Sequence, residues 1–361
     1  MTNRVTKLAV LASLTIVSIF SGGAANSQVV VQTVAGNGST GSTNGTGIAA
    51  QFNYPNGLAK DGAGNLYTAD WANHVVRKIT PAGAVTVHAG TPGVAGTTNG
   101  LAAFAKFNLP RSIAADSAGN VYVFEQSPLT LRKISASGMV STLVTLATWQ
   151  SSGYIGGFSS LGMAADSSGN VYLAEWSCQC IRKVNSTGTI SILAGGTAGF
   201  VNATGSAARF RNPQGVAVDV AGNVYVADTG NSAVRKITPT GVVTTVAGTG
   251  VAGHTDGPGP FAQFYATYGI VVAPNNGIYV ADFSGTQSYV RYITPAGVVS
   301  TLAGQSAGFA DGAASVAKFG TVTGLVTHGG KLFAADLDNQ RIRAIRWERK
   351  PVEVVDTKNP N

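Results

Sequence analysis

Charge is what this 361-residue chain has least of: Asp, Glu, Lys and Arg make up 11% of it. That is under half the roughly 25% usual for soluble domains. Histidine is scarce at four residues and cysteine at two. Beyond the first twenty residues no long uninterrupted apolar run occurs, which leaves no later segment able to span a bilayer as a helix. A G-x-S-x-G elbow is missing, and the glycines are not followed by the Lys-Ser/Thr of a phosphate-binding loop. What is abundant is glycine, 47 residues, within a chain that is 44% hydrophobic. Such a chain is no disordered polar segment. Many short strands joined by glycine-rich turns fit it best, in one large closed all-β domain or two ordinary ones.

The first residues read as an export signal covering 1–27. Arg4 and Lys7 precede an apolar run, Leu8–Phe20, and Ala25-Asn26-Ser27 resembles a small-residue cleavage site. Thirteen apolar residues fall short of the roughly 20 needed to span a bilayer, so cleavage is expected rather than anchoring. No cysteine stands near the site for a lipid anchor. The mature chain is expected to start near Gln28, to be secreted or periplasmic, and to be a monomer without a membrane span. The formal charge of +8 drops to +6 without the leader. The basic residues recur along the chain instead of clustering, which disfavours nucleic acid as a partner.

One unit is repeated throughout. Leu66–Gly90 reads LYTADWANHVVRKITPAGAVTVHAG and Val224–Gly248 reads VYVADTGNSAVRKITPTGVVTTVAG. Related copies start at Val121, Val171, Ile278 and Leu332, so the six copies lie 50–55 residues apart. Each reads as four strands. A short apolar strand leads into a D-x-x-G-N turn (Asp61–Asn65, Asp116–Asn120, Asp166–Asn170, Asp219–Asn223), where Asp can accept backbone N–H groups and Gly can take positive φ. The VYVAD, IRKIT and VTTVAG stretches supply the other three strands. The last copy lacks its fourth strand after Arg346, and Val29–Gly36 (VVVQTVAG) supplies one. That pairing closes a ring and removes a free sheet edge. The expectation is therefore all-β: a six-bladed β-propeller over 28–346, with four-stranded antiparallel blades. Residues 347–361 are expected to form a loosely ordered extension.

The pattern V-Y-V-A-D-x-x-N-x-x-[VI]-R-K-I, clearest at Asp70–His74 and Asp228–Ser232, resembles the NHL repeat. The resemblance spans roughly 29–346 and implies the same six-bladed propeller, in a group with many members that act through contacts. Glu125 and Glu175 depart from it where Asp usually stands. A second signature, G-x-x-G-x-[ND]-G-x-x-x-A-x-F, joins the blades. Its Asn or Asp (Asn44, Asn99, Asn202, Asp256, Asp311) is expected to cap a short helical turn, and its Phe to plug between blades. The linker 146–161 lacks it.

Chemistry in a propeller belongs at the mouth of the central channel. The residue preceding each first strand gives the set Asn56, Arg111, Leu161, Gln214, Tyr268 and Thr323. It holds no carboxylate, against the needs of a lactonase-like cation site. The histidines His74, His88, His254 and His328 fall at non-equivalent positions, against the zinc ring of an amidating-lyase-like site. The six recurring acids (Asp70, Glu125, Glu175, Asp228, Asp282, Asp336) and the third-strand arginines are read as structural surface pairs, worth at most about 1 kcal/mol each. Cys178 and Cys180 could bridge locally or remain thiols. The leading expectation is a non-catalytic binding or scaffold protein for an unknown protein or envelope ligand, with no catalytic set, metal or cofactor. Its contacts are expected at Asn56, Arg111, Gln214, Tyr268 and Thr323, with Trp149 and Tyr154 on the variant linker. The alternative is a metal-assisted hydrolase or lyase with its site in the channel. A carbohydrate ligand, suggested by Trp71 and Trp176, is a third possibility.

Overall fold

The computed structural model describes residues 27–151 and 162–349. Residues 1–26, where an export leader is expected, the linker positions Tyr154 and Leu161, and residues 350–361 lie outside the described residues.

Six antiparallel sheets form the blades. Blade one is built from Pro55–Lys60, Leu66–Asp70, Val75–Ile79 and Ala84–Ala89, running from the centre outward. The later blades begin at Pro110, Met163, Pro213, Thr267 and Val322. Their inner strands neighbour one another in a closed circle, the last beside the first. Blade six takes its outer strand from the other end of the chain: Ser27–Ala35 pairs with Arg341–Arg349 from Ser27↔Arg349 to Ala35↔Ile342, across a bulge. Trp347, Glu348 and Arg349 are therefore strand residues, three beyond the boundary expected at Arg346. Four of the sheets carry a fifth strand of two residues, such as Gly45–Thr46 beside Ala84–Ala89. The incoming linker adds this edge, which repeat counting does not reveal.

The strands form where alternation and turn chemistry dictate. Asp61 accepts from the Asn65 backbone N–H at 2.9 Å and from the Tyr67 hydroxyl at 2.9 Å, and Gly64 sits at φ +84°. Asp116, Asp166 and Asp219 close their turns in the same way. The core lies between neighbouring blades. Ala59, Val76 and Phe107 pack with Ile113 and Val123 in the seam between blades one and two. The linker phenylalanines Phe52, Phe107, Phe210, Phe264 and Phe319 are fully buried, as the plugging role requires. Each contributes about 1.5–3 kcal/mol of hydrophobic stabilisation.

No helix among the described residues is long and apolar enough to cross a membrane.

Candidate functional site

The channel is shut by backbone. One residue inside the mouth, five inner strands place a glycine: Gly57, Gly162, Gly215, Gly269 and Gly324. A Cβ on Gly215 would overlap the Tyr268 carbonyl oxygen, and one on Gly162 would overlap Gly215 itself. The missing side chains let the strands close to a void of about 30 Å³, room for little more than one water.

The recurring acids do not face that mouth. Asp70 meets Arg77 at 3.0 Å, Asp228 meets Arg235 at 2.8 Å and Asp336 meets Arg343 at 2.8 Å, with both side chains fully buried in each pair. Glu125–Arg132, Glu175–Arg182 and Asp282–Arg291 repeat the contact. The expectation of surface pairs is thus corrected: the linker folds over each arginine and seals it. Arg77 also donates to the Gln51 and Thr43 carbonyls, at 3.0 and 3.1 Å, and stacks over Phe52 at 5.4 Å. The linker Asn and Asp residues belong to the same assembly. Asn44, Asn99 and Asn202 each accept from the local arginine, at 2.7–3.0 Å, as do Asp256 and Asp311. The short turns beside them have no side-chain cap, so the capping role expected for these residues is overturned: the arginine takes the oxygen. Burial raises the Asp70, Asp228, Asp282 and Asp336 carboxyls to about 6, against the pull of the arginines and neighbouring amides. Each acid also accepts a linker N–H, such as that of Asn53 or Arg211.

The histidines stay apart. His74 opens the third strand of blade one at φ +59° and accepts the Leu109 N–H of blade two on Nδ1 at 3.1 Å. Gln179 and Gln340 do the same for Asn212 and Tyr54 in other blades, and the Ser232 and Ser288 hydroxyls donate across their seams to Tyr265 and Gly320 carbonyls. The sequence hides this set of latches because His, Gln and Ser share only a position. His254 stacks on Tyr289 at 3.9 Å, and His88 packs edge-on against Tyr67 at 4.8 Å. Among the described residues, Glu175, Cys178 and Cys180 alone cluster as a metal would require. Their donors are committed, because Cys178 and Cys180 are joined in a disulfide and Glu175 pairs with Arg182.

The mouth residues divide by partner. The Gln214 side chain hydrogen-bonds the Tyr268 hydroxyl, whose pKa burial raises. Thr323 is buried and accepts the Gly57 N–H at 3.4 Å. Asn56 is buried with its Oδ1 unpaired, and partly buried Arg111 leaves Nε unpaired. Trp149 is corrected from contact surface to core: it is fully buried, packed edge-on against Phe124 at 6.0 Å. A second tier was missed. Strand pairing sets Pro55 opposite Asp70 and Pro110 opposite Glu125, so the residue after each acid stands beside the mouth. That position holds Trp71, Gln126, Trp176, Thr229, Phe283 and Leu337. Phe283 meets Tyr268 edge-on at 6.3 Å, and Trp176 is exposed.

Residues 210–237, which hold the first three strands of blade four, match the NHL repeat family. That match lies on the same strand–acid–turn–arginine unit that every blade repeats around the ring. The chain is a six-bladed β-propeller that carries an NHL repeat. Among solved structures, this propeller resembles an auxiliary nutrient binding protein of Bacteroides thetaiotaomicron, at TM-score 0.65 and 17% identity over 90% of this chain and 77% of that one. It also resembles a virginiamycin B lyase of Staphylococcus aureus, at TM-score 0.53 and 12% identity over 88% and 99% of the two chains. Identities this low speak for the fold alone. In sequence, 93 residues are 34% identical to the chloroplast protein SUPPRESSOR OF QUENCHING 1 of Arabidopsis thaliana, spanning 26% of this propeller and only 9% of that protein.

Proposed function

We propose that this propeller is an exported, non-catalytic binding protein whose ligand seats on the mouth around Arg111, Gln214 and Tyr268. One observation carries the reading: the acids and arginines that could do chemistry are spent in the buried network, whereas the mouth keeps unpaired hydrogen-bonding groups and aromatic rings. Among the described residues such a surface offers no nucleophile with an adjacent base and no converging carboxylates, which suits recognition. The nutrient-binding neighbour is consistent with this use of the scaffold, though function belongs to the site and not the fold.

A thermal-shift screen with amino acids, short peptides, saccharides and nucleosides tests it. At least one class should raise Tm, and Tyr268→Ala should abolish the shift. A screen without any shift, or a shift indifferent to Tyr268→Ala, counts against the mouth. The lyase neighbour favours a second reading, metal-assisted chemistry in the channel. Elemental analysis revealing stoichiometric Ca²⁺ or Zn²⁺ in purified protein would turn the argument that way.

A further inference from the structure

The recurring third-strand arginines Arg77, Arg132, Arg182, Arg235, Arg291 and Arg343 each pair with an acid, but Arg111 has no acidic partner among the described residues. It stands on the inner strand of blade two, Pro110–Ala115, beside the inner strand of blade one, Pro55–Lys60. The acids nearest in the repeat, Asp70 and Glu125, are already held by Arg77 and Arg132. Its Nε is buried without a partner, and burial lowers the pKa of the guanidinium. A partly desolvated cation without a counter-charge is costly. An incoming anion would relieve that cost.

Apart from the Nε atoms of the ion-paired Arg77 and Arg132, three more unpaired atoms lie in the same two blades. Asn56 Oδ1 belongs to a side chain only 5% exposed, and Gln126 Oε1 and Trp71 Nε1 are likewise buried without partners. The set is chemically specific. The guanidinium and the indole N–H donate, as an anionic oxygen requires. The two amide oxygens accept, so they require a ligand that also carries donors. A single guanidinium, unaided by a second cation at these positions, suits the one charge and planar fork of a carboxylate better than a phosphate dianion. Trp71, braced edge-on by Tyr54 at 5.8 Å, adds an apolar ring on which C–H groups can lie.

We propose that the sector of the mouth between blades one and two binds a carboxylate carried on a polyhydroxylated molecule, a sugar acid, with Arg111 as its anion contact. The proposal rests on the mouth being the binding face and narrows the ligand to one chemical class.

The test uses purified protein and matched pairs that differ only in the acid group: D-galacturonate against D-galactose, D-glucuronate against D-glucose, and D-gluconate against D-glucitol. Affinities come from calorimetry or ligand-observed NMR. At least one acid should bind tenfold or more tightly than its neutral partner. Arg111→Gln should bring that ratio near one and Arg111→Lys should leave it intermediate, while Tm stays level or rises because an unpaired cation has gone. Gln126→Leu should weaken the acid and its neutral partner alike, since it removes a hydroxyl acceptor. Equal binding within every pair, or an undiminished ratio in Arg111→Gln, overturns the proposal. If neutral compounds bind in a Tyr268-dependent way while no acid is preferred, the mouth remains the binding face and only the sugar-acid assignment falls.

Discussion

His74 ties two blades together as an acceptor, and an acceptor is lost when imidazole takes a second proton. Burial lowers its pKa below the usual 6.5. The unfolded chain therefore binds the proton first as pH falls, and stability that is full above about 6.5 declines below it. Gln179 and Gln340 perform the same task with a side chain that does not titrate. His74→Gln should match the parent Tm near neutral pH and lose less of it by about pH 5. The comparison is between variant and parent because the buried aspartates, raised to about 6, act with the opposite sign. A parallel pH dependence in the two proteins would refute the latch. Nothing in the sequence marked His74 for this role, since the contact is made between blades and by unlike residue types.

Each blade's ion pair works as a unit with its linker. Arg235 gathers Asp228, Asn202 and two linker carbonyls, and lies over Phe210 at 5.2 Å. Arg235→Met would strand the Asp228 carboxylate in the interior, at a cost of about 3–5 kcal/mol near neutral pH. The loss should shrink as pH falls, because protonation removes the buried charge; urea denaturation at two pH values reads it. Gly215→Ala tests the closed channel. A methyl group there meets the Tyr268 carbonyl, and overpacking of this kind costs about 1–3 kcal/mol, seen as a lower urea midpoint. At this scale the strands, the turns and the Asp–Arg spacing were legible because they repeat. The burial of the pair was not, because it depends on a linker folding back across the arginine. The channel closure was equally hidden, since it arises from close approach of five glycines in different blades.

Across the molecule, stability depends on one junction. Ser27–Ala35 covers the edge of Arg341–Arg349, and Asp311, which pairs with Arg343, also accepts the Thr33 N–H at 3.0 Å. Deleting residues up to Ala35 would expose nine strand residues on an apolar sheet. The expected result is a Tm lower by roughly 10 °C or more, with larger species on size-exclusion chromatography. A truncated protein that melts like the parent would deny the junction its role. This closure was readable because VVVQTVAG copies the outer strands. The proposed ligand face was readable only in part, since three of its unpaired atoms belong to Asn56, Gln126 and Trp71, ordinary residues until burial isolates them.

The direction of that junction has an orientational consequence. The Ala35–Ile342 end of the pair lies on the mouth side, where Asp336 meets Arg341, so Ser27 and Arg349 emerge together at the opposite rim. Ser27 and Arg349 thus share one corner, at the rim opposite the mouth. A tether fixed at either end would hold the propeller like a dish on its stem, with the mouth facing away from the anchor.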